Sequence, residues 1–254
     1  RGTGHSINAI EFAKRAKKEI EHYKHSYPDF TGKVFLRDDT VGLMVSRGNL
    51  LIGNDIKVHP SRIDALIQHE VGTHIVTYFN GKAQPFRQLY SGLSGYEELQ
   101  EGLAVLAEYL VGGLSRPRMR LLAARVIAAD CLISGASFLE TFRVLTNRYG
   151  FDKRTAFTIT IRIYRGGGLV KDAIYLRGLV ELLKYLKGGG DLEPLFVGKI
   201  ASDHVPVIQE LQYRHILKPA PLRPRFLDDP GAADKLLKLN NGLEPLELIE
   251  RKQT

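Results

Sequence analysis

The sequence predicts an α+β domain, mostly helical, in which a small antiparallel sheet precedes a metal-binding helix. Three observations carry this. Apolar residues recur at three- and four-residue steps along most of the chain, as on amphipathic helices; strand-like runs are confined to residues 33–52; and the hexapeptide His69-Glu70-Val71-Gly72-Thr73-His74 lies inside one of the helical stretches. With 254 residues and 44% hydrophobic content, the chain is long enough to bury a substantial core.

Ile10, Ala13, Ala16, Ile20 and Tyr23 form the apolar stripe of a first helix, whose other face is rich in Lys and Glu. Strands are expected over 33–36, 41–46 and 49–52, with Asp38-Asp39 and Arg47-Gly48 as turn signals. Pro60 stands where a helix can begin, and Ile63, Leu66, Ile67, Val71 and Ile75 carry its stripe to about Phe79, with Asn80-Gly81 as a stop. A second helix is expected from near Ser94 through Leu99, Leu103, Leu106 and Leu110 to Gly112-Gly113, and others over 117–132, 137–149, 152–164 with Asp152 as cap, and 173–186. Shorter ones are expected over 191–197 and 205–216. Gly166 to Gly168 and Gly188 to Gly190 read as helix terminators, because a phosphate loop would need glycines between a strand and a helix.

Residues 1–217 read as one catalytic domain, and residues 218–254, with Pro219, Pro221, Pro224 and Pro230, as an extended tail lying on its surface. Arg1 in place of methionine suggests a truncated N-terminal region. No apolar run reaches the roughly 20 residues of a membrane helix, and no nucleic-acid module is recognisable, so neither partner is expected. The net charge of +8 leaves an acidic partner and a solvated basic face both open. The lone Cys131, expected to be buried in an apolar run, allows no intramolecular disulfide and points to a reducing compartment, the cytoplasm.

The hexapeptide departs from the familiar His-Glu-x-x-His by one residue. Five residues of ideal helix advance the direction by about 500°, leaving the two imidazoles about 140° apart and unable to share an ion. A π-type bulge, which inserts one residue into a turn, would bring positions i and i+5 to one face, and Gly72 supplies backbone tolerance in the inserted stretch. A catalytic zinc takes three protein ligands, so a third donor is required. Glu97, Glu101 and Glu108 fall near one face of the next helix, and periodicity does not choose among them; it permits one as ligand and another behind it. Glu70, beside the first histidine, is placed to act as general base.

The hexapeptide, followed by Asn80, Gln84-Pro85, Gln100-Glu101-Gly102-Leu103-Ala104, Arg165-Gly166, Lys171-Asp172 and Tyr175-Leu176-Arg177-Gly178, resembles the tyrosine metallocarboxypeptidase family of the zincins. Its bacterial members are labelled flavohaemoglobin expression-modulating QEGLA motif proteins. The resemblance spans roughly residues 5–228. It implies a zincin-like metallopeptidase domain holding one Zn²⁺ ion, with His69, His74 and Glu101 as ligands and Glu70 as general base, which settles the choice among the glutamates. Eukaryotic relatives remove the C-terminal tyrosine of α-tubulin. That substrate does not carry over to this bacterial-looking chain, for which an unstructured C-terminus ending in an aromatic residue is the expectation.

Trimming a C-terminus requires a cation for the terminal carboxylate, and Arg162, Arg165 and Lys171 are the candidates, although a cation near a helix C-terminus is also favoured by the helix dipole alone. Tyr175 is a candidate donor to the developing oxyanion, or else a core aromatic; His204 is a lesser candidate for the same role. By family analogy, residues 41–46 would form an edge strand to which a substrate backbone pairs. Two other readings compete: a zinc-binding regulatory protein without turnover, and an aminopeptidase or dipeptidyl peptidase, since dipeptidyl peptidase III shares the six-residue spacing.

Overall fold

The computed structural model describes residues 5–165 and 169–249. Helix α1 (Ala9–Ser26) is launched by a capping box in which Asn8 accepts from the Glu11 N–H and Glu11 reaches back to the Asn8 N–H. Its apolar stripe, Phe12, Ala16, Ile20 and Tyr23, is buried against the sheet and the motif helix. Strand β1 (Ile7–Asn8), just before α1, pairs antiparallel with β5 (Lys57–Val58).

The main sheet contains β2 (Val34–Arg37), β3 (Leu43–Ser46) and β4 (Asn49–Gly53) in the order β2-β4-β3. It is mixed rather than antiparallel: β3 and β4 are antiparallel, whereas β2 runs parallel to β4. The cause lies in the connections. Arg47 and Gly48 both have positive φ, 49° and 76°, and close a tight β3–β4 hairpin. The link of residues 38–42 instead crosses the end of β4, where the Thr40 carbonyl packs so closely on Gly53 that no side chain fits there. This places β3 at an open edge.

The motif helix begins with a 3₁₀ turn at Pro60–Arg62 and continues as α2 (Ile63–Ile67), a π-helical segment (Gln68–Ile75) and α3 (Val76–Lys82). It passes through the expected stop. Asn80 and Gly81 are buried helical residues, and Gly81 is small because the Leu89 carbonyl lies against it. After the short α4 (Gln88–Ser91) come α5 (Tyr96–Leu110), α6 (Arg116–Ile133), and α7 (Phe138–Arg143), which runs into a π turn at Val144–Arg148. Then follow α8 (Lys153–Tyr164), capped by Asp152, and α9 (Leu169–Lys187). The expected helix over 191–197 is a 3₁₀ turn at Glu193–Phe196, and α10 spans Val205–Tyr213. Gly166 to Gly168 lie outside the described residues.

Helices α5 and α9 cross backbone to backbone. A methyl group on Gly102 would stand 2.5 Å from the Gly178 carbonyl carbon, and one on Gly178 would collide with the Glu98 carbonyl oxygen. Only glycine at both positions permits this approach.

The tail is not extended throughout. Asp229 accepts from the Gly231 N–H and Pro230 occupies the first helical position, so proline here starts a helix, α11 (Pro230–Asn240). Lys235 donates to the Tyr109 and Leu110 carbonyls at the end of α5, while Leu222, Phe226, Ala232 and Leu239 are buried. Asn80 donates to the Phe196 and Leu222 carbonyls and accepts from the Leu222 N–H, and Gln84 pairs both ways with the Lys218 backbone. Cys131 is half-buried rather than buried: Ala124 and Ala128 take the inward face of α6, and Cys131 lies near the helix end. Among the described residues, no helix is long and apolar enough to cross a membrane.

Candidate metal centre and active-site cleft

The π segment brings residues five apart onto one face. The Val76 N–H reaches the Val71 carbonyl, an i to i−5 link, and the Thr73 hydroxyl donates to the Gln68 carbonyl five residues back at 3.0 Å. Gly72 serves here by its size. A side chain there would collide with the Gln68 amide oxygen and crowd Phe226 at 3.2 Å.

The His69 and His74 rings lie 5.1 Å apart with their planes at 78°. From α5, Glu101 directs one carboxylate oxygen, Oε2, between them, 3.5 Å from His69 Nε2 and 3.6 Å from His74 Nε2. Two donors about 2.0–2.1 Å from a tetrahedral zinc stand about 3.3 Å from each other, so these separations suit such an ion. Glu101 Oε2 is buried and has no hydrogen-bond partner, an arrangement that is costly for a bare carboxylate and natural for a metal ligand. Ligand atoms of all three residues fall within 4.8 Å of one another. The donor set therefore fits a zinc ion.

Behind the histidine, His69 Nδ1 meets Glu108 Oε1 at 3.0 Å. Glu108 is fully buried and also receives Arg118 through two hydrogen bonds, at 2.9 and 3.1 Å, and Arg62 at 2.8 Å. Burial alone would raise the Glu108 pKa, but His69, Arg118 and Arg62 hold it well below the carboxylate range. Glu101 is likewise lowered, with burial outweighed by the two histidines. Burial would lower His69, but Glu101 and Glu108 reverse this and raise it to about 10.

The three residues sit in a cleft of about 410 Å³ bounded by β3, the π segment, the first turns of α5, and the ends of α8 and α9. Glu70 lines it, and so do Tyr96, Glu97, Gln100 and Tyr175. Gln100 is anchored to the motif helix, donating to the Thr77 hydroxyl at 2.6 Å. The Tyr175 ring is near-parallel to that of His69 at 6.3 Å, with the Arg125 guanidinium 5.6 Å from its centroid. Burial, reinforced by Glu101, raises the Tyr175 pKa, so its phenol remains a proton donor at neutral pH.

All three expected cations reach the cleft. Arg162 is tied to the buried Asp172 at 2.5 Å, which Arg125 also approaches at 3.7 Å; Arg165 and Lys171 are exposed at its mouth. A fourth cation, Lys199, was not signalled by the sequence, nor were Arg62 and Arg118 around Glu108. Val41, Leu43, Met44 and Val45 of the edge strand and its approach form the opposite wall. His204 caps a turn, accepting from the Ala201 N–H at 3.0 Å, and does not line the cleft. Glu98, the neighbouring acid on α5, turns outward to pair with Arg177.

A comparison with curated proteins finds no match. A comparison with protein families finds one that covers residues 2–244, nearly the whole length, and on that match the chain belongs to the family described as microtubule-associated tyrosine carboxypeptidase.

Proposed function

We propose that the protein is a zinc-dependent carboxypeptidase that removes a C-terminal residue, tyrosine or another aromatic, from an unstructured peptide or protein tail. Family membership supports the reaction class. The observation that carries the metal dependence is the convergence of His69, His74 and the otherwise unpartnered Glu101 Oε2 at the floor of the cleft.

In this reading His69, His74 and Glu101 hold the zinc, and Glu108 fixes the His69 ring through Nδ1. When bound, zinc supplies a Lewis acid that acidifies a water and polarises a carbonyl. Glu70 accepts the proton of the attacking water and delivers it to the leaving amine. Tyr175, kept protonated, donates a hydrogen bond to the oxygen on which negative charge develops. The open edge of β3 offers backbone groups to an extended substrate.

Arg165 and Lys171, exposed at the mouth of the cleft, and Arg162, which pairs with Asp172, offer cations to a terminal carboxylate, which supports C-terminal rather than N-terminal trimming. The net charge of +8 favours an acidic tail, such as the family's association with microtubules suggests. A regulatory metal site without turnover has no need of a carboxylate at Glu70 facing the cleft. The lone cysteine fits a reducing compartment, the cytoplasm.

The test is mass-spectrometric readout of a peptide library with varied C-terminal residues, comparing zinc-loaded protein with its Glu70→Gln variant. Loss of one C-terminal residue by the parent alone is expected, with aromatic termini preferred. Zinc retention by both proteins without trimming by either would overturn the carboxypeptidase reading in favour of a regulatory one.

A further inference from the structure

Lys199 differs from the other cleft cations in how it is held. Its N–H donates to the Leu89 carbonyl at 2.7 Å and its carbonyl accepts from the Leu93 N–H at 3.0 Å. Its neighbours Val197 and Ile200 are buried, and Gly198 packs so tightly that a methyl group there would stand 2.6 Å from the Leu89 oxygen. The backbone at Lys199 is therefore pinned. The ammonium lies 5.6 Å from the Tyr78 ring centroid and 5.4 Å from that of Tyr96, within cation–π range of both.

Among the described residues no carboxylate forms an ion pair with Lys199, whereas Arg162 is held by Asp172. Arg165 and Lys171 are exposed, so ion pairs formed there are strongly screened. Lys199 is partly buried, and burial lowers its pKa, with Glu97 opposing that shift and Lys171 adding to it. An anion entering the cleft would meet a charge that is less screened and already ordered, so little side-chain entropy remains to be lost.

We propose that Lys199 is a substrate-binding residue whose ammonium receives a carboxylate of the tail drawn into the cleft. That carboxylate is either the terminal group or an acidic side chain upstream of it. The assignment rests on the carboxypeptidase reading for what enters the cleft, but its test does not depend on turnover.

The experiment uses the zinc-loaded Glu70→Gln protein, with Lys199 intact, changed to Met, or changed to Arg. Dissociation constants are measured for four peptides ending in tyrosine, with Glu-Glu or Gln-Gln before it and a free or amidated C-terminus. Lys199→Met keeps the apolar stem and removes the charge; it should weaken binding about 10- to 100-fold, and Lys199→Arg should restore much of the loss. A contact with the terminal group predicts loss for both free-acid peptides and neither amide. A contact with an acidic side chain predicts loss for both Glu peptides whatever their terminus. Loss restricted to the free-acid Glu peptide identifies a site that needs both charges.

Equal affinities in all three proteins, equal loss for all four peptides, or no binding by the Lys199 protein would each overturn the proposal. If Lys199→Met lowers the thermal midpoint, Lys199→Gln provides the second neutral side chain. Parallel turnover assays on the protein with Glu70 intact separate the two readings. Lys199-dependent binding without cleavage would sink the peptidase and leave this assignment standing.

Discussion

Gly102→Ala should damage the site through the helix crossing beneath it. The added methyl would stand 2.5 Å from the Gly178 carbonyl carbon and 2.5 Å from its oxygen, with the Leu179 nitrogen at 3.0 Å. Ordinary contact begins at 3.4 Å, so α5 and α9 are too close by about 0.9 Å, and backbone on the opposing side leaves no flexible chain end to yield. Alanine has the better helix propensity by about 1 kcal/mol, whereas overpacking costs about 1–3 kcal/mol and here lies at the upper end. The net loss is about 1–2 kcal/mol, which for a chain of this size lowers the melting temperature by about 2–8 °C. Glu101 is the adjacent residue, and displacing its carboxylate by up to about 1 Å should reduce turnover by about 100-fold.

The assay is a thermal melt paired with peptide trimming. Gly188→Ala is the control, because the nearest atoms to its new methyl lie at 3.4 and 3.5 Å and its φ is not positive. A Gly102→Ala protein that melts at or above the parent temperature and trims peptides within about threefold of it would refute the reasoning.

Other outcomes follow from the same contacts. Glu108→Gln keeps the shape but leaves Arg62 and Arg118 without their buried counter-charge; it should cost about 3–5 kcal/mol in denaturant melts and weaken zinc affinity about 10- to 100-fold in chelator competition. Tyr175→Phe should lower kcat by about 100- to 1,000-fold with little change in KM, whereas an equal fall in stability and activity would make Tyr175 a packing residue. Asn80→Ala leaves the Phe196 carbonyl and both backbone groups of Leu222 unpaired; a loss of about 3 kcal/mol or more is expected, together with faster proteolysis near residues 218–224.

Much of the helical framework was legible because burial repeats with the helix period, and each stripe names its own buried face. The six-residue spacing was equally informative. Histidines five positions apart cannot serve one ion on a regular helix, so a shared ion required the widened turn found at Gln68–Ile75. The resemblance carried by the two motifs named the glutamate that the structure brings to His69 and His74. Local signals misled where a residue type has two uses. Asn80-Gly81 read as a stop and lie inside α3, while Pro230 read as part of an extended tail and begins a helix.

Periodicity alone put Glu97, Glu101 and Glu108 near one face, and an ordered tertiary arrangement was needed to give each its place: Glu97 on the cleft wall, Glu101 between the histidines, Glu108 behind His69 with two arginines. The mixed order of the sheet, the glycine crossing of α5 and α9, and the arrival of Lys199 beside Tyr78 and Tyr96 were likewise invisible. The physical reason is one of range. Sequence spacing records how a side chain points from its own element, whereas the site is made by groups such as His69 and Glu108, 39 residues apart, whose meeting depends on how separate elements pack.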